Sequence, residues 1–328
     1  MLTILAAATM GWSGPIIDMH LHALHAADQG PPPVMICAPY EAMPRRDARD
    51  GPQAYFVSAF KSGRWCAHPI ASSRNDDSLR RESLAELKRL NVVGVASGEP
   101  DMVEAWRREA PDRIIPAIAF NMSDAPPIES LRALHKAGRL KVIGEIGAQY
   151  EGVGPDDPRL EPYYALAEEL DVPLAIHVGP GPPGAPYLGM TKYRMRLSDP
   201  LLLEDVLVRH PRLRLQVMHA GWPNIDRMVA LLYAHPQVYV DTAVIGHTQP
   251  RAEFHRYLRR LVEAGYGDRI MFGSDQMVWP GTIAPAIAAI ASADFLSTAQ
   301  KRAILHDNAA RFLRLGAHDR PGSAAKRD

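Results

Sequence analysis

Short apolar runs rich in Val, Ile and Leu recur along the chain, at residues 16–20, 92–96, 114–120, 141–146, 173–178, 213–219, 238–244 and 269–273. They are continuous rather than alternating. A strand buried on both faces, as in a parallel sheet, reads this way. The segments between them carry helical periodicity. Residues 124–137 place Ile128, Leu131 and Leu134 on one face, and 160–170, 200–209, 224–234 and 251–264 behave similarly. Asp199 and Pro200, and then Pro223 and Asn224, supply capping and first-turn proline signals. Eight strands alternating with helices predict an α/β fold, a single (β/α)8 TIM-type barrel rather than an open sheet. Residues 1–328 are read as one barrel domain. A last amphipathic helix over 298–315 is expected to close it, and 316–328 read as a frayed tail.

Residues 23–78 break the rhythm. They are rich in Pro, Ala, Ser and charge and show little periodicity. An insertion this long inside a domain is usually functional or disordered. It follows the first strand and so emerges at the face where barrels of this type keep their active sites. The expectation is a lid or pocket wall; the plainer alternative is a solvated excursion or an oligomer contact.

Composition narrows the classes. The 328 residues are 47% hydrophobic, and 37 Lys plus Arg balance 37 Asp plus Glu. A zero formal charge gives no reason to expect a nucleic-acid groove or an anionic membrane as partner, and points instead to a small molecule. Arg80, Arg81, Lys88 and Arg89 are interleaved with Glu82 and Glu86 and read as a solvated helix face. Cys37 and Cys66 are too few for a zinc cluster; one disulfide and two buried thiols both remain open. The apolar run at 2–9 resembles the late part of a secretory signal without its basic start, and equally a first strand or helix across the barrel bottom. Cytoplasmic and exported destinations therefore both stay open. The run is too short to span a membrane.

The chemistry sits at the ends of the expected strands. His20 and His22 are two apart, so on a strand both point to one side, into the barrel mouth. Two imidazoles placed in this way can bind a divalent metal. Glu145 (within Gly-Glu-Ile-Gly), His177, His219 and Asp275 each end a later strand, where βα loops begin. One histidine at a strand end is usually just a polar residue near the surface; the whole set reads as a metal site. His25 falls off the strand and belongs to the loop. Near the same mouth stand Gln149 and Tyr150, Arg194 and Arg196 beyond a Gly/Pro loop, Trp222 and Trp279. Tyr150, Arg194, Arg196, Trp222 and Trp279 are the candidate substrate-binding residues. The arginines suit an anionic substrate; the plainer reading is surface arginines and aromatics that cap the rim.

The paired histidines with His177, His219 and Asp275 resemble the amidohydrolase superfamily. The segment Asn308-Ala309-Ala310-Arg311-Phe312 is similar to the C-terminal pattern of its amidohydrolase-related branch, and the likeness covers nearly all of the chain. That branch holds hydrolases and non-oxidative decarboxylases. The resemblance implies a metal-dependent enzyme, with His20, His22 and Asp275 on one ion, His177 and His219 on a second, and Glu145 between them. Zinc is the expected metal, two ions rather than one. Asp275 and His219 are then the catalytic residues, and the reaction is hydrolysis of a small ester, lactone or amide. In the decarboxylase arrangement one ion sits on His20, His22, His177 and Asp275, leaving His219 free as acid/base and Glu145 as an orienting group. A TatD-type metal-dependent phosphodiesterase shares the local Gly-Glu-x-Gly context, but the missing basic stripe speaks against it. A homo-oligomer is compatible with all three.

Overall fold

The computed structural model describes residues 15–316; the apolar run at 2–9 and the tail beyond Gly316 lie outside them. Eight strands form one parallel sheet in chain order: β1 (Ile16–Ala23), β2 (Val92–Gly98), β3 (Ile114–Phe120), β4 (Val142–Ile146), β5 (Leu174–His177), β6 (Leu215–Met218), β7 (Val238–Asp241) and β8 (Ile270–Met271). Between β8 and β1 the seam is drawn together by Met19 N–H donating to Phe272 O (2.9 Å) and Asp275 N–H donating to His20 O (2.7 Å). With helices between successive strands, this is the (β/α)8 barrel, and each strand lies within an apolar run or overlaps it.

The later strands are shorter than their runs. Only Leu215–Met218 of 213–219 is strand, because the chain turns at His219. The two helix-start signals have different fates. Asp199 does cap, its Oδ1 accepting the Leu201 N–H at 3.1 Å. Asn224 does not: its Nδ2 donates to Ser198 O at 2.9 Å, and the helix Ile225–Ala234 begins without a side-chain cap. The Asn224 side chain is turned to a neighbouring loop rather than to the helix N-terminus.

The stretch after β1 is more ordered than its composition suggested. Met35–Ile36 pairs antiparallel with Ile70–Ala71, and Pro52–Phe60 forms a helix between them. Cys37 and Cys66 are joined in a disulfide, which resolves the open alternative. The insertion also ends earlier than residue 78, because Asn75 and Ser78 form a capping box that starts the helix Asp76–Arg89. Several hydrogen bonds fasten the insertion to the barrel loops. Tyr40 N–H donates to Thr248 O (3.0 Å), Ser73 N–H to Val278 O (3.1 Å) and Trp279 Nε1–H to Val34 O (2.9 Å).

The barrel interior is plugged from below. Ile17, Met19, Val95, Ala117, Val142 and Met271 pack with Ala309 and Phe312 from the last helical segments. Those segments run Thr298–Arg302, Ala303–Asp307 and Asn308–Phe312, the middle one a π-turn, where one helix was expected. Asn308 Nδ2 donates to Ile270 O (2.7 Å) and Gly267 O (2.9 Å), which ties the plug to β8.

Candidate metal centre

Strand alternation alone does not bring the site together. Ile17 and Met19 point into the barrel interior, so strict alternation would turn His20 and His22 away from it. The β1–β2 register shifts between Asp18 and Leu21. That bulge reverses the sense of the strand and aims both histidines into the mouth. β4 does the same between Ile143 and Ile146. Gly144 takes φ +143° there, and a Cβ on it would lie 2.3 Å from Ala175 O. Only glycine lets β4 lie so close to β5 while swinging Glu145 inward. Gly179 does similar work beside β5: a Cβ there would meet His219 Cβ at 2.5 Å.

The side chains then converge. His20 and His22 face each other Nε2 to Nε2 at 3.1 Å. Asp275 Oδ1 stands 3.1 Å from His22 Nε2 and 3.7 Å from His20 Nε2. Glu145 Oε2 is 3.3 Å from His20 and 3.1 Å from His22. Its other oxygen, Oε1, lies 2.6 Å from His177 Nδ1, which in turn is 3.0 Å from His219 Nε2. Two donor groupings have spacing compact enough for one ion each, His20 with His22 and Asp275, and His20 with Glu145 and His219. Ligands on one zinc, with bonds of about 2.0–2.1 Å, stand roughly 3.0–3.4 Å apart; His20 with His22, and His22 with Asp275, are both at 3.1 Å, and Asp275 with His20 is wider at 3.7 Å.

The outer hydrogen bonds support a metal. His219 Nδ1 donates to Ala243 O at 3.1 Å. Ser97 Oγ accepts from His22 Nδ1 (3.1 Å) while donating to Leu21 O (3.3 Å). Asp241 Oδ2 lies 3.3 Å from His20 Nδ1. His22 and His219 turn Nδ1 to these outer acceptors and His20 turns Nδ1 toward the Asp241 carboxylate, so all three point Nε2 at the cluster, where it can serve as a ligand once its proton is lost. Asp275 Oδ1 is buried with no hydrogen-bond donor of its own among the described residues. The donor set fits one or two divalent cations.

The electrostatics agree. Burial opposes charge on the two β1 histidines, yet the carboxylates outweigh it. Asp275, Asp241 and Glu145 hold His20 well above its ordinary value, and Asp275 and Glu145 hold His22 up at about 9. Burial pushes Glu145 and Asp275 up, and the surrounding histidines pull both below the usual carboxylate range. Burial and then the neighbouring His219 push His177 down. Protons on His20 and His22 balance the carboxylates where a cation would otherwise do so.

His219 (φ 58°) and Asp275 (φ 52°) both adopt the left-handed backbone region. Residues other than glycine rarely do so, and such residues gather at functional sites.

An amidohydrolase family model matches residues 17–315. The chain belongs to the amidohydrolase family. It is therefore an enzyme of a metal-dependent superfamily. An uncharacterised TIM-barrel protein from Bordetella bronchiseptica has a similar fold (TM-score 0.56, 17% identity, 92% of this chain and 98% of that one). So does a probable 2-pyrone-4,6-dicarboxylic acid hydrolase from Acinetobacter baumannii (TM-score 0.56, 13% identity, 91% and 99%). A manganese-bound 5-carboxyvanillate decarboxylase from Novosphingobium aromaticivorans is also similar (TM-score 0.52, 15% identity, 71% and 79%). No curated protein matches the chain.

Above the amidohydrolase centre opens a cavity of about 1310 Å³, with His22, Glu145 and Asp275 among the residues on its wall. Tyr150 lines it with its ring 4.6 Å from that of His177. Trp222 and Trp279 line it as well. Arg194 reaches the wall from an exposed position, with Nη1 donating to Thr191 O and Tyr193 O, both at 2.8 Å. Arg196 is exposed and stands outside the wall, because the turn Met195–Ser198 carries it into solvent. Gln149 is buried and ties two loops together, donating to Gly179 O at 3.1 Å. His25 pairs with Asp76 at 2.7 Å.

Sequence reasoning missed Asp241. Its Oδ1 accepts the N–H groups of His219 and Ala243, both at 2.9 Å, and its Oδ2 accepts from Gln216 at 2.6 Å. The signal was present, since a carboxylate inside an apolar run must be paired. Asp18 and Gln276 were missed too. Asp18 Oδ1 accepts the N–H groups of His20 (3.1 Å) and Ser274 (2.9 Å). Gln276 accepts His22 N–H (3.1 Å) and donates to His22 O (3.2 Å). Both contacts lock the β8 loop to β1 across 254 or more residues, a relationship no local pattern carries.

Proposed function

We propose that this amidohydrolase is a metal-dependent hydrolase of a small-molecule ester, lactone or amide, with Glu145 shared between two cation sites. The observation that carries the reading is the split of the Glu145 carboxylate, Oε2 toward His20 and His22, Oε1 toward His177. His20, His22 and Asp275 would hold one cation, His177 and His219 the other, with zinc the favoured metal. When bound, such cations polarise a scissile carbonyl and lower the pKa of nearby water to about 7. Asp275 is held ionised among the histidines and is placed to take the attacking water's proton and return it to the leaving group. Tyr150, Trp222 and Trp279 wall the substrate in.

The second reading is a one-metal decarboxylase. It is favoured by the compact grouping of His20, His22 and Asp275, which can bind an ion without Glu145. A phosphodiesterase acting on nucleic acid finds no support in the wall, whose rim carries Asp28, Glu99 and Asp124 rather than a basic stripe.

The test is metal content by elemental mass spectrometry for wild type and Glu145→Ala, alongside ester, lactone and carbon dioxide-release assays. About two ions per chain, falling sharply in the variant, with ester or lactone turnover, is the expected result. About one ion, retained without Glu145, together with carbon dioxide release, would put the decarboxylase first.

A further inference from the structure

The cavity is chemically lopsided. Its apolar wall comes from several separate elements: Tyr40, Met43 and Phe60 from the insertion, Trp222 after β6, and Met277 and Trp279 after β8. A proline-rich stretch over residues 180–186 adds a stiff apolar flank. Its volume, about 1310 Å³, exceeds the ~300–1,000 Å³ common for small-molecule pockets. Away from the metal ligands, the charges on this wall are mostly negative. Asp28, Glu99 and Asp124 are exposed at the rim, and Glu253 is half-buried.

Little positive charge answers them. Arg194 is the one arginine or lysine among the described residues on the wall, and its Nη1 is spent on two backbone carbonyls. His25 also reaches the wall but is neutralised by Asp76 at 2.7 Å. Glu253 is paired with Arg256 and accepts from Trp222 Nε1 at 3.4 Å, so it contributes less field than the rim acids. A cleft lined by one sign of charge repels a like-charged ligand and gives it no ion pair on arrival. An apolar ligand body, by contrast, gains roughly 25 cal/mol for each Å² it buries.

Resting on the hydrolase reading, we infer that the substrate is a bulky, apolar molecule with no negative charge outside the scissile group. The insertion and the β6 and β8 loops hold its apolar body, and the rim acids exclude anionic analogues. This gives the sequence's arginines a different meaning: Arg194 braces its own loop rather than clamping a carboxylate.

The experiment uses zinc-loaded enzyme and matched aryl esters whose acyl tails end in a phenyl group, a trimethylammonium group or a sulfonate. Sulfonate replaces carboxylate so that direct metal binding by the tail stays weak. The neutral ester should exceed the sulfonate by at least about tenfold in kcat/KM, mainly through KM, with the ammonium ester between them or equal to the neutral one. Glu99→Lys with Asp124→Lys should narrow the gap. A sulfonate ester as good as the neutral one would overturn the inference. So would an Arg194→Ala variant that selectively loses the sulfonate ester.

A parallel calorimetric arm uses the non-hydrolysable ethers of the same three tails. If no ester turns over but the phenyl ether still binds about tenfold better than the sulfonate, the hydrolase reading fails and the substrate class stands. If esters turn over without discrimination, the hydrolase reading stands and the substrate class fails.

Discussion

Glu145 and His177 are in direct contact, Oε1 to Nδ1 at 2.6 Å, from the ends of adjacent strands 32 residues apart. The contact exists because β4 bulges at Gly144 and turns the carboxylate inward. From there the same side chain reaches His20 and His22 with its other oxygen. The centre is thus one connected cluster in which each strand-end ligand constrains the next.

On the proposed hydrolase reading, Asp275 is the group that moves a proton. Asp275→Asn keeps one oxygen for a cation but loses the negative charge that accepts a proton. Turnover should fall by about 10²–10⁴-fold while much of the metal is retained. Steady-state kinetics beside elemental analysis checks this; normal turnover would remove Asp275 from the role.

Asp241 is buried away from the cavity wall and contacts His20 and the His219 backbone. In Asp241→Asn, the amide nitrogen would face Gln216 Nε2–H and His20 Nδ1–H, so donor meets donor. Metal affinity should drop by about 10–100-fold, with the barrel still folded. Competition against a chromogenic chelator measures the affinity, and circular dichroism reports the fold. An unchanged affinity would make Asp241 merely structural.

Metal uptake should depend on pH in a defined direction. In the metal-free protein the His22 value is raised to about 9, so its proton must leave before Nε2 can bind a cation. Apparent affinity should therefore rise as pH goes from 6.5 toward 9 and level off above, with proton release in calorimetry. The same raised value stabilises the metal-free fold below pH ~6.5, and that contribution fades as pH climbs through 9. A pH-independent affinity over 6.5–8.5 would contradict the assignment.

The Cys37–Cys66 disulfide closes a sequence separation of 29 residues, a loop for which chain entropy gives about 3–4 kcal/mol. Reduction, or Cys37→Ser with Cys66→Ser, should lower the melting temperature. Because Tyr40, Met43 and Phe60 wall the cavity from this insertion, KM should rise more than kcat falls. Melting curves and kinetics with and without reductant test both; identical values in each would show that the bridge does not support the wall.

Much was legible in the linear pattern. The apolar runs mark the strands because a parallel barrel buries both faces of each one, and burial leaves a continuous compositional trace. The candidate ligands stand out because polar residues that end such runs fall where barrel chemistry occurs. His20 and His22 could be paired from spacing alone.

Tertiary structure decided the rest. The bulges that turn His20, His22 and Glu145 inward depend on register with neighbouring strands, a property of two chain segments rather than one. Asp241, Asp18 and Gln276 matter through backbone groups that only folding brings near. The ribbon and disulfide of the insertion join segments about 30 residues apart, and its bonds to barrel loops reach 200 or more residues away. Arg194 and Arg196 read alike in sequence, yet one reaches the cavity wall and the other faces solvent. Sequence determined the barrel and the types of donor side chain at its mouth, because these follow from burial and local spacing. Which side chains meet, and what charge the cavity presents, was settled only by long-range contacts.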